Sequence, residues 1–132
     1  MASLGAPMKK VIATSEAPAA VGPYSQAIAL GNMLFCAGQI PLDPQTGDLV
    51  AGGVEEQTTR VCENIAAVLK ANGMNFTNVV KSTVFLTDLA NFSAMNGVYA
   101  KYFQEPFPAR STIQVAGLPR GSQVEIEVIA AQ

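Results

Sequence analysis

Apolar residues recur at Val54, Val61, Ile65, Val68 and Leu69, a spacing that lays one stripe along a helix running from Val54 to Asn72. Glu55 and Glu56 fall in its first turn and Gly73 stands just past its end, the placement that a helix's free N–H and C=O groups favour. Elsewhere the period shortens. Ala27–Gln39 reads AIALGNMLFCAGQ, and its two short apolar runs around Gly31-Asn32 predict a β-hairpin whose second strand lies near Met33–Gly38. A turn follows at Asp43-Pro44-Gln45-Thr46-Gly47, then a short strand at Leu49–Val50 and a break at Gly52-Gly53. Val79–Leu86 (VVKSTVFL) is dense in β-branched and aromatic residues and reads as a strand. Asn91 is placed to cap a second helix, in which Phe92, Met95, Tyr99 and Tyr102 share helical spacing and read as core until Pro106 ends it. Two strands close the chain, Arg110–Val115 and Gln123–Ala130, joined by a loop through Gly117-Leu118-Pro119-Arg120-Gly121.

The element order is therefore β-β-β-α-β-α-β-β. It predicts an α+β architecture, a mixed sheet with both helices on one face, because each helix has a single apolar stripe to bury. The other face must be covered in some other way. In the last strand Val124, Ile126, Val128 and Ala130 point one way and Glu125 and Glu127 the other. If the last two strands form a hairpin centred near Leu118-Pro119, Thr112 lies opposite Glu125, and Arg110 is a diagonal neighbour of Glu125 on the uncovered face. An arginine and a carboxylate so placed have two readings. One is a structural ion pair, at a subunit interface for instance. The other is a site where the guanidinium fork holds a substrate carboxylate and the glutamate handles a proton or a water. Spacing alone leaves both open.

Composition narrows the chemistry. The 132 residues (13.8 kDa) are 49% hydrophobic and only 14% charged, with a mean hydropathy of +0.26, which suits one domain with a sizeable core. Eight basic and ten acidic residues give a net charge of −2 and a pI near 5.0, with no basic run longer than Lys9-Lys10, so a phosphate-neutralising surface for nucleic acid is unsupported. Histidine is absent, which removes the commonest general acid–base residue and the triads that depend on it. Cys36 and Cys62 sit in apolar contexts without CxxC spacing and read as buried, inert thiols of a reducing compartment. No window approaches a membrane span and no secretory signal is visible, so a cytoplasmic location is expected. Residues 1–8 read as an N-terminal extension, with Met8 a possible original start, and 9–132 as a single domain.

Four segments carry a family resemblance: APAAVGPYSQA at 17–27, CAGQIPLDPQTG at 36–47, NVVKSTVFLTDL at 78–89 and FPARSTIQVAGLPRGSQVEIEVIA at 107–130. Together they resemble the RidA/YjgF/YER057c/UK114 family of enamine/imine deaminases, also known as L-PSP endoribonucleases. The resemblance implies a chorismate-mutase-like fold, a homotrimer with clefts between neighbouring subunits, and hydrolysis of 2-iminobutanoate and 2-iminopropanoate to 2-oxoacids and ammonia. It implies that Arg110 binds the substrate carboxylate, that Glu125 positions or activates water, and that Tyr24, Asn96 and Gly38 line the cleft. Two positions depart from some members. Thr112 replaces a cysteine and still offers a hydroxyl, whereas Ala37 replaces a serine and offers none.

The implied chemistry needs no cofactor, metal or covalent nucleophile, because a protonated imine is already electrophilic. Glu125 can serve both proton transfers if burial raises its pKa towards neutrality. The residues also have blander readings, with Tyr24 packing in a turn, Asn96 solvated on its helix and Gly38-Gln39 meeting a backbone requirement of the sheet. Two rival functions remain. One is an endoribonuclease or translation inhibitor, against which the missing histidine and acidic balance stand. The other is a non-catalytic trimer that binds small carboxylates or client proteins, which would be signalled by loss of Arg110 or Glu125. Both residues are present.

Overall fold

The apolar stripe at 54–69 forms helix α1 (Val54–Ala71) and buries Val61, Cys62, Ile65, Val68 and Leu69 completely or nearly so. Each such side chain contributes about 1.5–3 kcal/mol, far more than the intrinsic preference of any one residue for a helix. Its ends follow the expected chemistry. The Glu56 carboxylate accepts the Gly53 N–H at 2.8 Å, and Asn72 and Gly73 close the C-terminus, with Gly73 at φ +69 and the Met74 N–H returning 2.9 Å to the Leu69 carbonyl. The computed structural model describes residues 8–132, so residues 1–7 of the expected extension lie outside the described residues.

Six strands build one mixed sheet: β1 (Lys10–Ile12), β2 (Ala27–Leu30), β3 (Met33–Gln39), β4 (Val79–Leu86), β5 (Ala109–Gln114) and β6 (Val124–Ala131), in spatial order β1-β2-β3-β6-β4-β5. Helix α2 (Phe92–Tyr102) follows β4. The expected element order holds, but its first three strands are not the expected three. β1 had no sequence signal, and the strand expected at Leu49–Val50 is only a single bridge between Leu42 and Leu49. The β2–β3 hairpin, β4 and both helices lie where the periodicity places them. Asn91 occupies the cap position of α2 without a side-chain cap bond, and it is Asp88 that caps the preceding short turn by accepting the Ala90 N–H at 2.9 Å.

The last two strands overturn the expected hairpin. β5 pairs in parallel with β4, while β6 runs antiparallel between β3 and β4. A parallel pair needs a crossover, and α2 supplies it. The chain from β4 passes through α2 to the sheet edge at β5, then returns past β4 to fill the centre. Thr112 is thus opposite Val84, and Glu125 is opposite Phe85. Strand parity then separates the expected pair. Arg110, Thr112 and Gln114 share the helix-covered face with Ser82, Val84 and Leu86, while Glu125 and Glu127 share the other with Phe85 and Thr83.

Core residues Leu34, Val84, Leu86, Val124, Ile126 and Ala130 fill the covered face. On the opposite face Phe35 and Ile113 are each more than 40% exposed and Ile129 is half-buried. Between Cys36 and Gln39 the β3–β6 register shifts by one residue, a bulge at Ala37-Gly38.

Gln26, only 4% exposed, ties the segment before β2 to the sheet edge. Its Oε1 accepts the Thr14 N–H at 2.7 Å and its Nε2 donates to the carbonyls of Thr14, Ala17 and Pro18 at 3.0, 3.3 and 2.7 Å. Gln26→Leu strips these partners inside the protein and is expected to cost about 2–4 kcal/mol, read as a lowered midpoint in urea unfolding with an unchanged slope.

Candidate active site

Arg110 is half-buried and held from three directions. Its Nη1 donates to Asn96 Oδ1 at 2.8 Å, and its guanidinium carbon stands 4.7 Å from the Tyr99 ring centre and 5.5 Å from that of Phe92. Tyr99 is itself fixed, its hydroxyl 2.7 Å from the buried Ser82 Oγ and its ring stacked on Phe103. Burial keeps the Tyr99 phenol above its ordinary pKa against the opposing pull of the Ser82 bond and the Arg110 charge, so it remains a neutral hydroxyl. Asn96 and Tyr99 are three residues apart on α2, which places both over β5.

Among the described residues no carboxylate lies within 4.0 Å of Arg110, and the one ion pair within that distance is Arg120–Asp48. A half-buried guanidinium with its orientation fixed and no counter-ion is prepared for an incoming anion. It opens on a cleft of about 430 Å³ lined by Asn96, Tyr99, Ala100, Phe107, Pro108 and Arg110. Thr112 lies two residues along β5 on the same face, its Oγ1 buried without a hydrogen-bond partner among the described residues.

Glu125 belongs to a second locus. It is half-buried on the other face, and its carboxyl group rests over Gly38 at the β3 bulge, where an added Cβ would come within 2.9 Å of its Cδ. Gly38 therefore makes room for this carboxylate. A cleft of about 320 Å³ nearby is lined by Tyr24, Gly38, Gln39, Ile40, Pro119 and Arg120, among others. Tyr24 is 55% exposed, and its hydroxyl accepts the Val21 N–H at 3.3 Å. Burial raises the Glu125 pKa first, and the charge of Glu127 raises it further. The two thiols are inert, as expected, burial pushing both up to about 12, helped at Cys62 by Glu63.

Within one chain these loci do not meet. Strand β4 stands between β6, which carries Glu125, and β5, which carries Arg110, roughly 10 Å of sheet at about 4.8 Å per strand, and the two side chains face opposite ways. Arg110, Asn96 and Thr112 form one group, and Glu125, Gly38 and Tyr24 the other. Reading by sequence missed Tyr99 as the guanidinium's platform, since its helical spacing marked it only as core, and missed Phe107 and Pro108 as cleft walls. Arg120 was also missed, although its Pro119-Arg120-Gly121 setting is a turn signal.

The fold is a two-layer α+β domain of small-molecule-processing type, with a half-buried arginine under its helices and a half-buried carboxylate on its open face. Over residues 14–132 the chain matches the family described as Endoribonuclease L-PSP, and it belongs to that family, the one its four motifs resemble. A goat 2-iminobutanoate/2-iminopropanoate deaminase is 52% identical over 95% of this chain and 91% of its own, and the human protein of the same name is 48% identical over the same shares. A structure described as a putative endoribonuclease from Thermotoga maritima superposes with a TM-score of 0.92 at 52% identity, covering 95% of this chain and 98% of that one. Escherichia coli TdcF with bound serine gives 0.88 at 44% identity, covering 93% and 98%. The expected fold is borne out. No helix among the described residues is long and apolar enough to cross a membrane.

The raised pKa of Glu125 has a consequence for stability. The unfolded chain releases this proton near the ordinary value of 4.5, before the folded chain does, so folding loses stability as pH rises through that window and loses none below it. Glu125→Gln is expected to raise the thermal midpoint at neutral pH relative to wild type, with the gain vanishing below about pH 4. A series of melts across pH checks this, and a lower midpoint at neutral pH would contradict it.

Proposed function

We propose that this protein is a 2-iminobutanoate/2-iminopropanoate deaminase acting as a cytoplasmic homotrimer, each cleft combining Arg110, Asn96 and Thr112 of one chain with Glu125, Gly38 and Tyr24 of the next. The observation that carries this reading is the fixed guanidinium without a counter-ion, in a chain half identical to proteins of that name. Arg110 and Glu125 face opposite ways, so one substrate reaches both only if a second copy lays its open face beside β5. The apolar side chains Phe35, Ile113 and Ile129 on that face suit such a contact.

In this cleft Arg110 grips the substrate carboxylate by its two-pronged fork and sets which face of the C2 carbon meets the water. Glu125, its pKa raised by burial, takes a proton as the water oxygen bonds to C2, giving a tetrahedral carbinolamine. It returns that proton to nitrogen and, as the C–N bond breaks and ammonia leaves, accepts the carbinolamine hydroxyl proton so that the C=O bond of the 2-oxoacid forms; this last proton, brought in by the protonated imine, leaves with ammonia as ammonium. Thr112 Oγ1, without a partner among the described residues, bonds the substrate or the attacking water in this reading. RNA cleavage finds no support in the arrangement, which offers neither a histidine nor a basic track.

The assay generates the imine with an amino-acid oxidase or a dehydratase and follows 2-oxoacid release above the spontaneous rate. Arg110→Lys keeps the charge but loses the fork and is expected to lower kcat/KM about ten- to a hundredfold. Glu125→Gln is expected to lower kcat by about 10²–10⁴, while Glu127→Gln acts only through stability or assembly. Light scattering should give three chain masses, and a stable monomer would refute the trimer. Mixing the two site variants tests the shared cleft directly. Random exchange places both intact residues together in about a quarter of clefts, so activity should return on mixing. A site contained in one chain would recover nothing.

A further inference from the structure

Arg120 holds a backbone conformation that only glycine adopts without cost. Its φ of +62 lies in the left-handed region, followed by Gly121 at +72, and it is the one non-glycine residue so placed among those described. Such strain in a non-glycine residue is tolerated where the side chain is needed in that spot. The side chain is nevertheless lightly held. Its Nη1 donates to the Gly47 carbonyl at 3.2 Å, and its Nη2 is 4.0 Å from Asp48, with both side chains more than half exposed. An exposed ion pair of that length contributes little, so the guanidinium is free to exchange Asp48 for a better anion.

Its position gives that freedom a use. Arg120 and Pro119 form one wall of the cleft that holds Tyr24 and Gly38, the glycine over which Glu125 lies. The cleft's volume of about 320 Å³ equals about ten waters at roughly 30 Å³ each, more than a short alkyl side chain fills. Within the proposed deaminase reading, on which this step rests, Arg110 already holds the carboxylate next to the imine carbon. In the shared cleft of that reading, the chain that supplies Gly38 and Tyr24 also supplies Arg120 on the wall beside them, a second guanidinium for a group of the substrate beyond the imine carbon.

We infer that Arg120 is a specificity-determining residue that reads a second anionic group at the far end of the substrate, extending the substrate class to 2-imino dicarboxylates. The reaction is unchanged: water adds at the imine carbon, the C–N bond breaks and ammonia leaves, while the distal carboxylate stays bound to Arg120 and is not transformed. Asp48 then acts as a placeholder that occupies the guanidinium until the distal carboxylate arrives.

The test compares two imines made in place by the matching oxidases, one from alanine and one from glutamate, on wild-type protein and on Arg120→Met and Arg120→Gly. The ratio of kcat/KM for the glutamate-derived imine to that for the alanine-derived imine is expected to fall about ten- to a hundredfold in both variants, the loss of one charge-assisted contact. Arg120→Gly relieves the left-handed strain, so its thermal midpoint should match or exceed that of wild type, an outcome a merely structural arginine would not give. An unchanged ratio in both variants overturns the inference, even if the alanine-derived imine is turned over normally. Absence of turnover of the alanine-derived imine by wild type instead refutes the deaminase reading, and this inference falls with it.

Discussion

Strand β6 is hydrogen-bonded along both edges, to β3 on one side and β4 on the other, and the remaining architecture depends on that double pairing. With β6 in the centre, β5 cannot lie beside it and is carried by α2 to the outer edge of β4. This displacement turns Arg110 beneath the helices instead of onto the open face. It also brings α2 over β5, where Asn96, Tyr99 and Phe92 surround the guanidinium. The same strand carries Glu125 on its other side, next to the bulge in β3. One topological choice thus sets the places of both charged groups and the distance between them.

The two groups are prepared by opposite means. The surroundings of Arg110 spend their contacts on orientation: a short bond to Asn96, an aromatic face below and, among the described residues, no competing carboxylate. Glu125 is prepared by withholding stabilisation. It is half removed from water beside a like charge, and its pKa rises. Such an arrangement lowers stability at neutral pH, because the folded chain holds this proton to higher pH than the unfolded one does.

Much of this was legible in the sequence, and the limits have definite physical causes. Periodicity located α1, α2, β4 and the β2–β3 hairpin because those segments are set by local pattern and turn chemistry. Within β6 it separated Glu125 and Glu127 from the inward valines correctly. The neighbour of each strand is a different matter, since alternation says which residues share a face but not which strand lies alongside. Polar Arg110, Thr112 and Gln114 suggested a solvent face, whereas at a sheet edge the helix layer thins out and polar groups are accommodated beneath it. Asn96 and Tyr24 entered through family resemblance alone. The bond from Asn96 to Arg110 gives the first a physical basis, and the cleft with Gly38 gives the second one.

Tyr99 belongs to two systems at once. Its hydroxyl closes a buried bond to Ser82, its ring stacks on Phe103, which in turn meets Phe76 edge-on, and the opposite face of the same ring lies under Arg110. Sequence drift at this position is therefore doubly penalised, since any replacement disturbs the core and the seat of Arg110 together. Phe107 and Ala100, which wall the same cleft but face solvent, carry no such double duty. Divergence among descendants of this chain should accumulate at those outer walls, so that the cleft changes shape around a guanidinium whose platform the core does not allow to change.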